Sequence, residues 1–97
     1  MTNIIMKRWT IIFKALANVN RLKIIALLAS GGSMIVSDIA SEIDISFKST
    51  SKHLIMLKNL GVLDSTGKEG HVHYSLQRNI PPDFRKTLTL FLNKRSK

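Results

Sequence analysis

Apolar residues recur along most of the chain with the three-to-four-residue period of α-helices. The first such segment, from Asn3 to Ala17, carries a stripe of Ile5, Trp9, Ile12 and Leu16, and further apolar residues widen it beyond half of the helix surface. A helix that is apolar on more than one side must bury both sides. In a chain of 97 residues, we expect the second side to meet another copy of the chain.

The following segments predict a second helix, a short strand and a third helix. Asn18 is a suitable cap for a helix over Val19 to Ser30, which two glycines then end. The apolar run Met34–Val36 is long enough only for a very short strand. Helical spacing then predicts a third helix over Ser37 to Ile43, which a tight turn separates from the next element.

A fourth helix, from Phe47 to Leu60, is the central element of the prediction. Ser46 can accept a hydrogen bond from its first turn, and Gly61 suits the left-handed residue that ends it. The side expected to be buried consists of Thr50, Leu54, Leu57 and Leu60. The opposite face consists of Phe47, Lys48, Ser49, Ser51, Lys52, Ile55 and Lys58, without a carboxylate. Such a face is typical of a helix-turn-helix protein that enters the major groove, but a solvated face on a helical hairpin fits it equally well.

The chain after Gly61 predicts a β-hairpin. Alternating residues indicate strands over Val62 to Thr66 and over His71 to Leu76, with a turn at Gly67–Gly70 between them. The residues on one face of the second strand are Val72, Tyr74 and Leu76. A hairpin directly after a recognition helix is a wing, whose turn we expect near the phosphate backbone or the minor groove of DNA.

The last helix starts at the segment Ile80–Asp83 and carries an apolar stripe of Phe84, Leu88, Phe91 and Leu92. Proline is acceptable at a first helical position, and Asp83 is favourable in the first turn. We expect the two end helices, about residues 3–17 and 83–95, to pair across a two-fold axis in a homodimer. The side chains predicted at this interface are Ile5, Trp9, Ile12, Phe84, Leu88 and Phe91.

The predicted fold class is mainly α with a small β-hairpin. The order α-α-β-α-α-β-β-α over residues 1–97 is that of a single winged helix-turn-helix domain, and no linker or internal repeat divides the chain. A hydrophobic content of 44% is sufficient for a folded core.

The charge balance indicates a polyanionic partner. Fifteen Lys and Arg against six Asp and Glu give a net charge of +9, and the isoelectric point is near 10.4. We expect double-stranded DNA, and we prefer it to an anionic membrane surface, which the basic and apolar first helix would also suit. Lys7, Arg8 and Lys14 interrupt the apolar N-terminal segment, so we expect no membrane span or signal peptide and a cytoplasmic location. Lys7 and Arg8, with Lys86 and Arg95, are interpreted as solubilising charges or as a second phosphate contact.

The sequence contains no constellation of residues that indicates catalysis or a metal. No G-x-G-x-x-G, G-K-[ST] or H-E-x-x-H motif is present and there is no cysteine, so we expect neither an enzyme nor a cofactor. The histidines are His53, His71 and His73, which are too few for a metal site without further ligands. We expect the wing histidines His71 and His73 near phosphate, and we hypothesise that protonation of the histidines strengthens DNA binding. An unchanged DNA affinity between about pH 5.5 and about pH 8 would refute this hypothesis.

Four segments together resemble the ArsR (arsenic-repressor-like) family of bacterial and archaeal winged helix-turn-helix regulators. Residues 15–24, ALANVNRLKI, are similar to the entry motif of the family, and residues 45–54, ISFKSTSKHL, to its recognition helix. Residues 57–63, LKNLGVL, match the exit from that helix, and residues 69–76, EGHVHYSL, resemble the wing. Each segment is a weak indication alone, but their combination is specific.

The resemblance implies a homodimeric, DNA-binding transcriptional regulator, usually a repressor that an effector releases. The residues expected to contact DNA are Phe47, Lys48, Ser49, Ser51 and Lys52 in the groove, His53 at a phosphate, and Lys68 and His71 in the wing. Lysine and serine can bond base edges or phosphates, whereas Phe47 can only pack, for example against a thymine methyl. The expected operator is a pseudo-palindrome with half-sites roughly 10 bp apart or somewhat more.

Two departures from the family pattern remove its metal sites. The best-known sensors carry a Cys-Val-Cys motif where this chain has Ile35–Asp38, and other members bind metal through the last helix, which here offers Asp83 and no histidine. We therefore expect no metal, and the small-molecule effector is unknown. Two alternatives to a sequence-specific regulator stay open: a sequence-indifferent DNA-coating protein and a winged-helix module that binds other proteins.

Overall fold

The computed structural model describes residues 2–95, which form five helices and three short strands. In chain order the elements are α1 (Asn3–Leu16), α2 (Val19–Gly31), β1 (Met34–Ile35), α3 (Val36–Ile43), α4 (Phe47–Asn59), β2 (Leu63–Lys68), β3 (His71–Leu76) and α5 (Pro82–Arg95). This order and the mainly helical class confirm the fold predicted from the sequence. No helix in the described range is long and apolar enough to cross a membrane.

Side-chain caps begin the first two helices. The hydroxyl oxygen of Thr2 accepts a hydrogen bond from the amide of Ile5 at 3.3 Å. The Oδ1 atom of Asn18 accepts from the amides of Asn20 and Arg21 at 3.0 and 3.1 Å. These caps bind amide groups that have no carbonyl partner within the first turn of a helix. They explain why α1 and α2 begin where the sequence predicts.

The three strands form one antiparallel sheet in the order β1-β3-β2. β2 and β3 pair along their whole length, and β1 pairs with the middle of β3. The hairpin turn consists of Glu69 and Gly70 alone, whose φ angles of 53° and 78° are both positive. A two-residue turn of this kind matches the twist of the flanking strands. The predicted four-residue turn is therefore wrong, because Gly67 and Lys68 extend β2.

The buried apolar side chains form one cluster to which all five helices and the hairpin contribute. Its members include Ile12, Ile24, Ile25, Leu28, Ile39, Leu54, Leu57, Val62, Leu63, Tyr74, Phe84 and Leu88. Gly61 lies between the end of α4 and the buried Val62, and its φ angle is 82°. A Cβ atom at that position would lie 3.3 Å from the ring of Pro81, so glycine suits both the backbone conformation and the close approach.

Three of the six side chains predicted at the dimer interface belong to this core, and the prediction is corrected there. Ile12 and Phe84 are fully buried within the single chain and Leu88 is nearly so, which leaves no surface of theirs for a partner. Each end helix has apolar residues on two sides, and the sequence pattern does not tell which side faces the chain's own core. The apolar side chains of the end helices that remain exposed are Ile4, Ile5, Met6, Trp9, Ile11, Phe13 and Leu90, and Phe91 is half-buried.

Candidate nucleic-acid interface

The turn between α3 and α4 sets the direction of the candidate recognition helix. Asp44 ends α3 in the left-handed conformation, which aspartate adopts more readily than most residues. The amide of Ile45 donates to the carbonyl of Ala40 at 3.2 Å. Ser46 then caps α4, since its hydroxyl oxygen accepts from the amide of Ser49 at 3.0 Å. Backbone and cap hydrogen bonds therefore hold both sides of the turn.

One side of α4 lies in the core, which leaves the opposite side at the surface. Thr50, Leu54 and Leu57 are fully buried. The hydroxyl of Thr50 donates to the carbonyl of Ser46 at 2.8 Å, so its burial leaves no unpaired polar group. Of the side chains predicted on the opposite face, Phe47, Lys48, Ser49, Lys52, Ile55 and Lys58 are exposed and Ser51 is half-buried. The structure thus brings the predicted groove-facing residues together on one accessible face.

This face of α4 is electropositive. Lys48 and Lys52 are exposed one helical turn apart, and the segment 45–63 contains no carboxylate. The amide groups at the start of α4 add partial positive charge in the same region. Lys58 is predicted on the same face, but its Nζ atom donates to the hydroxyl of Ser65 at 2.6 Å. It therefore connects α4 to β2.

The hairpin brings two more of the predicted DNA-contacting residues to the surface. Lys68 and His71 are direct partners in the β2–β3 register, so their side chains share one face of the sheet, and both are exposed. A cleft of about 210 Å³ lies between the start of α4 and the hairpin tip. Phe47 and Val72 are among its lining residues. The wing and the exposed face of α4 are therefore adjacent at Phe47.

His53 differs from the other predicted contact residues because a neighbouring side chain binds its ring. The Nη1 atom of Arg21 lies 3.3 Å from Nδ1 of His53, which is half-buried. Burial and the positive charge of Arg21 lower the pKa of His53 below its ordinary value of 6.5. This opposes the protonation hypothesis for His53. Sequence reasoning did not single out Arg21, although it lies in the first of the four segments that resemble the family.

The described residues contain no group of three or more His, Cys, Asp or Glu side chains that could hold a metal ion. The segment Ile35–Asp38, where the best-known sensors of the resembled family carry their cysteine motif, consists of the last residue of β1 and the first three residues of α3. Asp83 at the start of α5 is bound by Arg8 at 2.8 and 3.0 Å. The surface built by α4 and the wing offers ionic contacts and hydrogen bonds to a polyanion.

Comparisons with known proteins agree with this geometry. The profile of the family described as "bacterial regulatory protein, arsR family" matches residues 18–65. Over 83 residues, the chain is 37% identical to the transcriptional repressor SdpR of Bacillus subtilis, and the match covers 86% of this chain and 91% of that protein. Over 68 residues, it is 47% identical to the cadmium resistance transcriptional regulatory protein CadC of Listeria innocua, covering 70% of this chain. The match spans only 56% of CadC, about half of its length.

A solved structure shows the same fold. The homodimeric winged helix-turn-helix DNA-binding domain of a Mycobacterium bovis protein superposes with a TM-score of 0.76 at 23% identity. The match covers 99% of this chain and 88% of that one. The family profile, the repressor matched over most of its length and the shared fold lead to one conclusion. The chain belongs to the ArsR family of winged helix-turn-helix transcriptional regulators.

Proposed function

We propose that the protein binds a pseudo-palindromic DNA operator as a homodimer and acts as a transcriptional repressor. The exposed face of α4 enters the major groove, and the β2–β3 hairpin lies along the flanking backbone. The observation that carries this proposal is the accessible face of α4, where Lys48 and Lys52 flank small hydroxyl side chains and no carboxylate occurs in segment 45–63. Lysine and serine are suited to both phosphates and base edges.

The homodimer is supported by the unpaired apolar surface of α1. Ile5 and Trp9 keep 43% and 38% of their surface exposed, and Ile4 keeps 80%. Monomeric proteins rarely leave a contiguous apolar surface of this kind uncovered. A two-fold pairing would also place two α4 helices on half-sites roughly one helical turn, about 10 bp, apart. Such a dimer carries a net charge of +18, twice the +9 of one chain. We also propose that the protein acts in the cytoplasm, where the DNA of a bacterial cell lies.

The cadmium response named for CadC does not fit the side chains of this protein. Cadmium is a thiophilic ion that proteins bind through cysteine thiolates, and the sequence has no cysteine. The proposed regulator therefore responds to a different kind of effector or to none.

The test is fluorescence anisotropy of a labelled duplex from the region upstream of the protein's own gene, compared with a scrambled duplex across a salt series. A specific regulator prefers the native duplex by about 10³ or more. Equal binding to both duplexes with a steep salt dependence would show a sequence-indifferent coating protein instead. No binding at low salt would favour the protein-interaction module.

Charge variants locate the interface within the same assay. Lys48→Ala and Lys52→Ala are each expected to weaken binding, and to reduce the salt slope by about one where the lysine contacts a phosphate. Lys23→Ala is the matched control, because Lys23 is also exposed but lies on α2. Equal effects of all three substitutions would contradict the assignment of α4 as the recognition helix.

A further inference from the structure

Arg21 lies in the first turn of α2, and its side chain binds the C-terminal end of α1. Its Nε atom donates to the carbonyl of Ala15 at 2.6 Å, and its Nη2 atom donates to the carbonyl of Lys14 at 2.9 Å. Both carbonyls lie in the last turn of α1, where no later amide of the helix is available to bind them. Arg21 itself is held in the first turn of α2 by the cap at Asn18. The backbone of Arg21 is therefore anchored at the start of α2, and its guanidinium is held by the two carbonyls of α1.

The third contact of the same guanidinium is with the recognition helix. Nη1 of Arg21 lies 3.3 Å from Nδ1 of His53. A guanidinium has only donors and stays protonated, so Nδ1 must be the acceptor, and the proton of the neutral ring must be on Nε2. Burial and the charge of Arg21 both favour the neutral ring by lowering the pKa of His53. Among residues 2–95, no side chain or carbonyl accepts a hydrogen bond from Nε2.

We propose that Arg21 is a positioning residue for DNA binding, which fixes His53 as the neutral Nε2–H tautomer so that Nε2–H donates to a phosphate of the operator. This inference rests on the proposed function. A neutral N–H group adds a directional hydrogen bond without adding charge, so its contribution differs from that of the adjacent Lys52. Phosphate contacts of this kind set the register of a protein on the duplex.

The ring tautomer can be measured without DNA. In a ¹⁵N–¹H correlation spectrum of the histidine rings at neutral pH, we expect His53 in the Nε2–H form alone, assigned by its absence in His53→Gln. In Arg21→Met, which removes all donors, we expect a mixture of tautomers at His53 and unchanged signals from His71 and His73. A ring protonated on Nδ1 in the wild type, or an unchanged tautomer in Arg21→Met, would overturn the proposal.

A double-substitution cycle separates positioning from a merely structural role. Glutamine at position 53 offers an amide N–H that does not depend on Arg21 for its tautomer. We therefore expect Arg21→Met to weaken operator binding about tenfold in the wild type and only about twofold in the His53→Gln background. Equal losses in both backgrounds would mean that Arg21 only stabilises the fold. Arg85→Met, which removes an exposed arginine on α5, controls for the loss of charge.

Two further results are distinguishable. If Arg21→Met does not fold, Arg21→Lys takes its place, because lysine keeps the charge but cannot bind three acceptors in a fixed plane. If the wild type binds no operator, the proposed function fails and the phosphate contact with it. The histidine spectrum needs no DNA, so the tautomer of His53 still shows whether Arg21 positions the ring.

Discussion

Arg8 of α1 and Asp83 of α5, which are 75 positions apart, form a two-pronged ion pair. Nε of Arg8 donates to Oδ2 of Asp83 at 2.8 Å, and Nη2 donates to Oδ1 at 3.0 Å. The guanidinium also lies 5.2 Å from the ring centroid of Phe84. The sequence suggests that Arg8 is a solubilising charge or a phosphate contact, but the structure shows that it fastens one end helix to the other. Both carboxylate oxygens of Asp83 accept hydrogen bonds from Arg8, which argues against a metal ion at this carboxylate.

Replacing Arg8 should weaken the attachment of α5. We expect Arg8→Ala to lower the free energy of unfolding by about 1 kcal/mol, the upper part of the range for partly exposed ion pairs, because the pair is bidentate. Lys7→Ala is the control, since Lys7 is the adjacent exposed cation. Chemical denaturation at neutral pH measures both, and equal effects would contradict a specific role for Arg8.

The stabilisation by the Arg8–Asp83 pair should depend on pH in acidic solution. The hydrogen bonds from Arg8, with that from the amide of Phe84, lower the pKa of Asp83 below its ordinary value of 3.8. Its stabilisation is therefore complete above pH 3.8 and is lost as the pH falls through the lower pKa of the folded state. The difference between wild type and Arg8→Ala should shrink over that range. A difference independent of pH would show that packing of the arginine on Phe84, and not the ion pair, is responsible.

The exposed side of α1 should hold the proposed dimer together. We expect Ile5→Asp to raise the dissociation constant of the dimer at least about tenfold, because a carboxylate would have to be buried in an apolar interface. Val19→Asp is a matched control, since Val19 is an exposed apolar residue of α2. Sedimentation velocity measures the result, and a dimer that survives Ile5→Asp would move the interface away from this part of α1.

Phe47 should contribute to base preference more than to stability. Its side chain is 60% exposed at the start of α4, so Phe47→Ala is expected to change the melting temperature little. Loss of packing against a thymine methyl should reduce the preference for the operator by up to about tenfold, with non-specific binding nearly unchanged. Met56→Ala, on the same helix, is the control. Equal loss of affinity for operator and scrambled duplex would assign Phe47 no part in base preference.

His53 should make folding stability depend on pH in mildly acidic solution. Burial and the charge of Arg21, which reaches the ring from α2, lower the pKa of His53 below 6.5. The unfolded chain then takes up this proton at a higher pH than the folded one. Stability is therefore unaffected by His53 above pH 6.5 and falls as the pH drops toward the pKa of the folded state. Denaturation of wild type and His53→Gln across this range measures the effect, and the stability of the wild type should fall relative to that of His53→Gln as the solution is acidified. Parallel curves would show that the ring is not held neutral.

The sequence by itself determined the type, order and approximate ends of the elements. These properties depend on residues within a few positions of one another, such as the cap at Ser46 and the left-handed Gly61 on either side of α4. The buried side of α4 followed from the same local spacing of Thr50, Leu54 and Leu57. The exposed face that would meet DNA was therefore predictable, apart from Lys58, whose partner lies on another element.

Only the tertiary structure decided which apolar side of α1 is interior and which charged groups are paired. Ile5 and Ile12 fit the same predicted stripe, yet Ile12 is fully buried in the chain and Ile5 is exposed. The pairs Arg8–Asp83 and Arg21–His53 join residues 75 and 32 positions apart. Helical periodicity describes one helix at a time, whereas these contacts depend on how whole helices pack, which brings distant side chains within hydrogen-bonding distance.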